Sequence, residues 1–370
     1  MRSEPRRAAV RRPAWGARWE PHHRCRRRIL VGGPPVFVSR RLPEAALVPL
    51  LAAADVRMFE GEQEPVPRDR LVREAAHCVG LLVLLTDRVD AALLAAAPRL
   101  RVVSCMAVGY DNVDVRACTA RGIAVCNTPG VLTETTADLC WAILMACARR
   151  LDEGRRVVQE GRWASWAPFF LAGQDVWGRT VGIVGLGRIG TAVARRARGF
   201  GMRILYTGPA PKPEAEAETG AQRVPLEELL SESDYVVLLA PLRPDTRHLV
   251  GARELERMKP TAILVNAGRG PLVDEGALAD ALRRGRIWGA ALDVFEQEPV
   301  PPDHPLLHSP NVFAVPHIGS ASIATRMAMA RLAAENLAAV LRGLQPRSCV
   351  NPDVLAASGR GLPSQQPEHT

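Results

Sequence analysis

Short apolar runs along the chain alternate with stretches in which apolar residues recur every three to four positions. The runs, bounded by turn residues, predict buried strands, and the spaced positions predict amphipathic helices. Alternating strands and helices are typical of a parallel α/β unit. In the first third of the chain the predicted strands are 35–39, 56–59, 80–85, 101–106 and 124–127, and the predicted helices are 44–54, 68–76, 89–96 and 113–120.

The same alternation returns after residue 180 and predicts a second α/β unit. Between the units, the pattern predicts one long helix over 133–151. The following stretch, 152–179, contains Trp163, Trp166 and Trp177, and we interpret it either as a subunit contact or as ordinary core filling. The second unit has predicted strands at 181–184, 203–206, 235–240, 262–266, 289–294 and 312–315, and predicted helices at 192–200, 226–230, 252–257, 275–284 and 320–341.

The first strand of the second unit runs into the sequence GLGRIG. Its glycines, Gly185, Gly187 and Gly190, form the G-x-G-x-x-G pattern of a dinucleotide-binding turn. In that pattern the first glycine permits a tight turn, the second lets the backbone approach a pyrophosphate, and the third lets helix and strand pack closely. The helix that follows offers free N–H groups to the phosphates. Because strand, helix and next strand are all predicted, we favour dinucleotide binding over a purely structural turn.

The composition indicates a folded globular protein large enough for two domains. The chain has 370 residues, 47% of them hydrophobic and 24% charged, and no apolar run approaches a membrane span. Its eight cysteines are scattered, without the spacing of a zinc site. We therefore expect reduced cysteines, no metal, no membrane association and a cytoplasmic protein.

The net charge is concentrated at the N-terminus. Residues 1–28 hold ten Arg and two acidic residues, so they carry +8 of the formal charge of +9. The rest is nearly neutral, which argues against a nucleic-acid partner. We predict that residues 1–30 are a disordered Arg-rich extension, and mitochondrial targeting is the less favoured alternative because prolines interrupt any helix there. Residues 351–370 are predicted to be a flexible tail.

The end of the strand after the fingerprint bears on which nicotinamide cofactor is used. An NAD site usually places an acid there to hold the ribose 2′-OH. Here the strand ends in Tyr206, Thr207 and Gly208, the next charged residue is Lys212, and the first acid is Glu214. A missing acid and a nearby cation favour the 2′-phosphate of NADPH, with NADH possible. The alternative is that Lys212 is simply solvated.

Three polar residues follow successive strands of the second unit: Arg269, Glu298 and His317. Because the carboxyl ends of parallel strands face the ligand crevice, we expect them to converge there. Arg269 suits a substrate carboxylate, His317 suits proton donation near neutral pH, and Glu298 suits orientation of the imidazole. Each residue alone is also compatible with an ordinary solvated surface. Together they predict reduction of a 2-oxo acid by hydride transfer.

Four motifs carry a family resemblance: GLGRIG at 185–190, NAGRG at 266–270, LDV at 292–294 through Glu298, and PHIGS at 316–320. With them, the chain resembles the D-isomer-specific 2-hydroxyacid dehydrogenases. Within the family, the match over about 35–345 is greatest to members that reduce glyoxylate and hydroxypyruvate. It includes MAVGYDN, VLTETTADL and GRWASWAPFFLAG.

This resemblance implies a fold and a domain division. The fold would be α/β, with two Rossmann-like or flavodoxin-like parallel-sheet domains and the active site in the cleft between them. The substrate domain would be discontinuous, formed by 31–127 plus 319–350, and the NAD(P)-binding Rossmann domain would be 128–318. Family members are usually homodimers, so we expect a homodimer with contacts around the long helix and the tryptophan-rich stretch.

The resemblance also assigns expected roles to single residues. Arg269, Glu298 and His317 would be the catalytic set, with His317 as the proton donor. The substrate would be bound by Arg269 and His317 and by four further residues: Val108, Gly109, Ser320 and Trp166, the last reaching the neighbouring subunit. The cofactor would be bound by the fingerprint glycines and by Arg188, Ile189, Lys212, Ala267, Asp293 and Gly319.

One departure and two alternatives remain open. NADP-using relatives normally have an Arg where this chain has Pro209, so only Lys212 remains of the expected cations. The protein could instead be another D-2-hydroxyacid dehydrogenase, such as a 2-ketogluconate or phosphoglycerate enzyme. It could also be a non-catalytic NAD(H)-sensing corepressor-like protein, because one fold serves different functions.

Overall fold

The computed structural model describes residues 32–357. The predictions for residues 1–30 and for the tail from 358 onward therefore lie outside the described residues. The strands, in chain order, are β1 (Pro35–Val38), β2 (Asp55–Met58), β3 (Gly80–Val83), β4 (Val102–Cys105), β5 (Ala124–Cys126), β6 (Thr180–Val184), β7 (Arg203–Thr207), β8 (Gln222–Arg223), β9 (Tyr235–Leu238), β10 (Ile263–Asn266), β11 (Gly289–Leu292) and β12 (Val312–Ala314).

The helices fill the intervals between these strands. They are α1 (Glu44–Leu51), α2 (Arg68–Ala75), α3 (Ala91–Ala96), α4 (Val115–Ala120), α5 (Thr133–Ala148), α6 (Leu151–Gln159), α7 (Arg188–Gly199), α8 (Pro213–Thr219), α9 (Leu226–Glu232), α10 (Ala252–Leu255), α11 (Glu275–Arg283), α12 (Ile323–Leu341) and α13 (Asp353–Ala357). Short 3-10 turns occupy Gly270–Leu272 and Pro305–His308.

The strands form two separate sheets, which confirms the predicted α/β architecture. The first has the order β2-β1-β3-β4-β5, and the second has the order β12-β11-β10-β9-β6-β7-β8. All pairings between these strands are parallel. Both sheets are buried on two faces, because two hydrophobic clusters pack against each one. Strand order in the second sheet reverses between β6 and β9, where open α/β sheets bind ligands.

Two long helices join parts of the chain that are distant in sequence. Helix α12 packs on the first sheet and on α1, and the hydroxyl of Ser104 in β4 donates to the Ala333 carbonyl at 2.8 Å. Helix α5 packs on the second sheet and on α7. There Trp141 stacks on Phe200 at 4.6 Å between ring centroids. The first sheet is therefore completed by a helix from the far end of the chain.

The long helix predicted over 133–151 is interrupted. Helix α5 ends at Ala148, and Arg150 adopts a left-handed φ of 51° before α6 begins. The carbonyl of Ala148, which would accept the next helical hydrogen bond, accepts the Gln174 N–H at 2.8 Å instead. Gly173 makes this approach possible, because a Cβ there would lie 2.1 Å from that carbonyl oxygen. The backbone of the tryptophan-rich stretch thus ends the helix.

The structure also adds elements that the apolar pattern did not predict. Helix α8 and strand β8 occupy residues 213–223, for which the apolar pattern predicts no element. Residues 351–357 differ from the predicted flexible tail, because they contain α13, whose Val354 and Leu355 are buried in the first unit's core. The side-chain carbonyl of Asn351 also accepts the Val125 N–H of β5 at 2.8 Å. Buried apolar contacts and this hydrogen bond hold the segment in place. Within residues 32–357, no helix has the length and apolar character needed to cross a membrane.

Candidate active site

Arg269, Glu298 and His317 meet at one edge of the second sheet. Each follows the carboxyl end of a strand, and those strands, β10, β11 and β12, are neighbours in the sheet. Because all three strands are parallel, their carboxyl ends open on the same side. The structure therefore brings the predicted catalytic residues together.

The imidazole of His317 is held by a carboxylate. Its Nδ1 lies 2.6 Å from Oε2 of Glu298, while Oε1 of Glu298 accepts the Phe295 N–H at 3.0 Å. Burial favours the neutral acid, but the hydrogen bond and charge of His317 outweigh it, and the pKa of Glu298 is lowered. Glu298 is thus ionised at neutral pH and can stabilise an imidazolium. The other ring nitrogen of His317, Nε2, has no hydrogen-bond partner among the described residues.

A turn built on Asp293 sets the backbone of His317. The His317 N–H donates to the Asp293 carbonyl at 2.8 Å, and His317 has a left-handed φ of 52°. The Asp293 carboxylate accepts the N–H groups of Ile318 at 2.6 Å and Gly319 at 2.9 Å. Burial raises the pKa of Asp293, and these two hydrogen bonds oppose that shift. Asp293, which is also a predicted cofactor-binding residue, therefore positions the backbone of His317.

Arg269 bridges the two sheet units. Its Nε donates to Oδ2 of Asp111 at 2.6 Å, and its Nη1 donates to the Gly268 carbonyl at 2.8 Å. The guanidinium lies directly on Gly109, because a Cβ added there would be 1.5 Å from Nη2. Asn266 braces the loop by donating from Nδ2 to the Arg269 carbonyl at 2.9 Å. Sequence reasoning missed Asp111, because its partner is 158 positions away along the chain.

The loop after β4 supplies the first unit's side of the site. Val108 and Gly109 are half-buried there, and the Val108 carbonyl accepts Nδ2 of Asn127 at 2.8 Å. Beside this loop lies a cavity of about 400 Å³ between the units. It is lined by Tyr110, Asp111, Val113, Val115, Leu242, Arg243, Pro244 and Arg247. Val108, Gly109 and Arg269 are not among its lining residues, and the cavity adjoins the predicted site through Asp111, the ion-pair partner of Arg269.

The glycine-rich turn has the shape that a pyrophosphate requires. Gly185 has φ +102°, and a Cβ on Gly190 would lie 2.3 Å from the Gly185 carbonyl oxygen. In contrast, a Cβ on Gly187 would meet nothing within 4 Å. Helix α7 begins at Arg188 with no side-chain cap at Gly187, so its first N–H groups stay available. Gly187, Arg188 and Ile189 therefore fit the phosphates of a dinucleotide.

A second cation lies beside the end of β7. Arg223 of β8 donates from Nη2 to the Gly208 carbonyl at 2.9 Å, next to the position of Pro209. Lys212 is exposed, and its N–H donates to the Tyr206 hydroxyl at 2.9 Å. The nearby acid, Glu216, accepts from the Tyr206 hydroxyl. Sequence reasoning missed Arg223, because a strand of two exposed residues carries no apolar signal.

The remaining predicted site residues differ in how far they are buried. Gly319 is buried against Asp293, and Ser320 and Ala267 are half-buried in the loops after β12 and β10. Trp166 is 79% exposed, and no ring contact or hydrogen bond of the described chain joins it to the other predicted site residues. Over residues 32–357, no group of three His, Cys, Asp or Glu side chains is arranged to hold a metal ion.

Comparison with known proteins identifies the family. Residues 141–319 match the model of the D-isomer specific 2-hydroxyacid dehydrogenase NAD-binding domain. The chain is 52% identical over 330 residues to the glyoxylate reductase of Korarchaeum cryptofilum, covering 89% of this chain and 99% of that protein. It is 49% identical over 333 residues to the glyoxylate reductase of Thermococcus gammatolerans, with coverages of 89% and 99%.

Solved structures give the same result. The TT0316 protein of Thermus thermophilus superposes with a TM-score of 0.80 at 46% identity, covering 85% of this chain and 99% of that one. An NADPH-dependent glyoxylate/hydroxypyruvate reductase of Sinorhizobium meliloti, in complex with NADP and malonate, gives a TM-score of 0.77 at 36% identity, with coverages of 86% and 96%. The chain belongs to the D-isomer specific 2-hydroxyacid dehydrogenase family and is an NAD(P)-dependent oxidoreductase.

Proposed function

We propose that the protein reduces glyoxylate to glycolate and hydroxypyruvate to D-glycerate, with NADPH as the preferred cofactor. The observation that carries this proposal is the His317–Glu298 pair, 2.6 Å apart, at the strand edge that also presents Arg269. The glyoxylate reductases to which the chain is similar support the choice of substrates. Small 2-oxo acids need one carboxylate anchor and one proton donor, and both are present.

The proposed mechanism assigns one task to each side chain. The hydride added to C2 of the oxo acid is the chemistry that a bound nicotinamide supplies. His317 donates the proton from Nε2 to the oxygen on C2, because Nδ1 is engaged by Glu298. Arg269 binds the substrate carboxylate through Nη2, and the N–H groups of Val108 and Gly109 complete the anchor.

The cofactor is assigned to the crevice at the sheet edge. Gly187, Arg188 and Ile189 hold its pyrophosphate at the start of α7, within the turn that Gly185 and Gly190 form. At the other end of the crevice, the loops after β10 to β12 hold the nicotinamide ring. The residues proposed there are Ala267, Asp293 and Gly319.

The preference for NADPH rests on the cations at the end of β7. Lys212 and Arg223 together replace the Arg that NADP-using relatives carry at the position of Pro209. Arg223 is placed for this role by its hydrogen bond to Gly208 at 2.9 Å. Both side chains are exposed and so are free to turn toward a 2′-phosphate.

The test of this preference is steady-state kinetics of Arg223→Ala and Lys212→Ala with both cofactors. We expect each variant to raise the KM for NADPH by roughly 5- to 20-fold, the loss of one charge-assisted contact, and to leave that for NADH within about twofold. Arg203→Ala is the matched control, because Arg203 lies at the opposite end of β7 and pairs with Glu232. Equal effects on the two cofactors would contradict the assignment.

The test of the reaction is NADPH oxidation by purified protein with each of several 2-oxo acids. We expect turnover to be highest with glyoxylate and hydroxypyruvate, and His317→Ala to lower kcat by roughly 100- to 10,000-fold. A higher kcat/KM with 2-ketogluconate or phosphohydroxypyruvate would assign another dehydrogenase activity. Equal rates for the wild-type protein and His317→Ala, together with NAD(H)-dependent binding of a protein partner, would support the corepressor-like alternative.

Three further expectations belong to this proposal. The substrate domain comprises 31–127 plus 319–350, and the cofactor domain comprises 128–318. The protein is a cytoplasmic homodimer whose subunits meet through α5 and the exposed aromatic stretch over 163–177. Trp166 of each subunit contributes to the substrate site of its partner. The 79% exposure of Trp166 in the single chain supports this last assignment.

A further inference from the structure

The segment that follows α12 lies alongside strand β5. The Val350 N–H donates to the Val125 carbonyl at 2.7 Å. The Ser348 hydroxyl donates to Oδ1 of Asn127 at 2.6 Å. Val350 pairs with Val125 and Ser348 pairs with Asn127, so the two segments run antiparallel. The residues between these two contacts, 349 and 126, therefore lie opposite each other.

Those facing residues are both cysteines. Cys126, the last residue of β5, is fully buried, and Cys349 is half-buried at the surface of the first unit. The two thiols influence each other's pKa, and the Cys349 Sγ also donates to Oδ1 of Asn351 at 3.6 Å. Both are free thiols. A buried thiol therefore lies opposite a partly accessible one, and hydrogen bonds on both sides hold the two segments together.

Cys349 differs chemically from the other cysteines of the described chain. The hydrogen bond from Cys126 is the main cause that lowers the pKa of Cys349, to about 7. Burial raises the pKa of the remaining thiols, to about 12 for several of them. These residues are Cys78, Cys105, Cys118, Cys140 and Cys147. Because the thiolate is the form that reacts with oxidants, Cys349 is the most reactive cysteine of the described chain.

We propose that Cys349 and Cys126 form a peroxide-responsive disulfide site. The Cys349 thiolate attacks one peroxide oxygen, the O–O bond breaks, and Cys349 becomes a sulfenic acid while hydroxide leaves. The Cys126 sulfur then attacks the Cys349 sulfur, the S–OH bond breaks, and a disulfide forms. Overall, two thiols and one hydrogen peroxide give one disulfide and two waters. A dithiol reductant returns both thiols.

The position of this site gives the disulfide a structural consequence. It would tie the segment after α12 to β5, although the two cysteines are 223 positions apart in the sequence. The adjacent Asn127 donates to the Val108 carbonyl at 2.8 Å, and its own carbonyl accepts from Asn336 at 3.0 Å. Oxidation thus covalently fixes β5, the strand whose next residue, Asn127, holds the predicted substrate loop at Val108. This inference does not depend on which 2-oxo acid the enzyme reduces.

The test is peptide mapping of the full chain after brief hydrogen peroxide treatment and alkylation, without reduction. Trypsin releases 122–149, which holds Cys126, Cys140 and Cys147, and 348–360, which holds Cys349. We expect these peptides to be linked, with fragmentation assigning the bond to Cys126, and dithiothreitol to separate them. Before oxidation, iodoacetamide should label Cys349 at least roughly 100-fold faster than Cys105, because far more of Cys349 is thiolate.

Two variants distinguish the proposed steps. Cys349→Ser should abolish the link, and Cys126→Ser should leave a sulfenic acid on Cys349 that dimedone traps. The link should also raise the thermal midpoint of the wild-type protein relative to its reduced form, and Cys349→Ser should remove that difference. The proposal is overturned if peroxide leaves 122–149 and 348–360 separate, or if Cys349 is linked only to Cys25. The wild-type map decides even where Cys126→Ser does not fold.

Discussion

At the scale of single residues, the chemistry depends on which atoms stay free after the internal hydrogen bonds have formed. His317 uses Nδ1 on Glu298, which leaves Nε2 for a substrate oxygen. Arg269 uses Nε on Asp111 and Nη1 on Gly268, which leaves Nη2 over Gly109. The free donors of both side chains are therefore the ones that the proposed mechanism needs.

The first prediction concerns Glu298→Gln. We expect kcat to fall by roughly 10- to 100-fold with little change in the KM for the oxo acid, because a neutral amide stabilises an imidazolium poorly. Since His317 helps to lower the pKa of Glu298, Glu298 is ionised at any pH above about 4.3, the ordinary pKa of a glutamate. It becomes protonated only at lower pH. The difference in kcat between wild type and variant should therefore persist from pH 8 to pH 5.

Glu296→Gln is the control for this prediction. Glu296 lies in the same loop but pairs with Arg247 and His248 instead. We expect its kcat to stay within about twofold of wild type. If the two variants lost activity equally, the loss would reflect the loop's total charge rather than the contact with His317.

The second prediction concerns Gly109→Ala. The new methyl group would overlap Nη2 of Arg269, at 1.5 Å, so the flexible guanidinium must move while the fold remains. We expect kcat/KM to fall roughly 100-fold and the thermal midpoint to change by only a few degrees. Gly199→Ala is the control, because a Cβ there meets nothing within 4 Å. Unchanged kcat/KM in Gly109→Ala would show that Arg269 does not act from this position.

At the scale of elements, the parallel strands place the loops that follow them at one edge of the sheet. Close backbone contacts between those loops then fix their relative positions. A Cβ on Gly270 would lie 1.9 Å from the Phe295 carbonyl carbon, so the loops after β10 and β11 touch through backbone alone. This contact sets Arg269 beside the loop that carries Glu298. The turn between β6 and α7 depends on glycine in a comparable way.

The third prediction separates two glycines of that turn. Gly190→Ala should lower the thermal midpoint by several degrees and weaken cofactor binding, because its Cβ would lie 2.3 Å from the Gly185 carbonyl oxygen. Gly187→Ala should leave the midpoint unchanged and weaken cofactor binding alone, because its Cβ points into open space where a pyrophosphate would approach. Thermal melts and fluorescence titration with NADPH provide the measurements. Wild-type affinity in Gly187→Ala would contradict the proposed cofactor site.

At the scale of the whole molecule, the two units meet at the candidate site, and one stretch of the second unit exposes several apolar side chains. The ion pair of Asp111 with Arg269 crosses between the units at 2.6 Å. Outside the cleft, several large aromatic side chains of the stretch before β6 are more than half exposed. They are Trp163, Trp166, Phe169 and Trp177. An apolar surface of this kind favours association with a second copy, which supports the homodimer that the family resemblance implies.

The fourth prediction tests that association. In analytical ultracentrifugation we expect the wild-type protein at twice the chain mass of 40.1 kDa, and Phe169→Glu largely at the mass of one chain. Leu344→Glu is the control, because Leu344 is also exposed, at 57%, but lies after α12. If Trp166 completes the partner's substrate site, Phe169→Glu should also raise the KM for the oxo acid. A single-chain mass for the wild-type protein would exclude the homodimer.

Local patterns in the sequence determined every strand except β8, most helices, the glycine turn and the motifs of the family. These features depend on neighbouring residues: apolar periodicity, turn chemistry and the placement of Arg269, Glu298 and His317 just after strands. The roles of those three residues stay predictions, but their meeting at one sheet edge follows from parallel strand order alone.

Tertiary structure alone decided the features that join distant positions. The partner of Arg269, the cation Arg223 beside Gly208, the helix end at Ala148 and the contact of Cys126 with Cys349 have no local signal. Each depends on a loop or strand edge that packing brings close from elsewhere in the chain. Apolar spacing reports only which face of a segment is buried, whereas the register between segments is set when the two sheets and their helices pack.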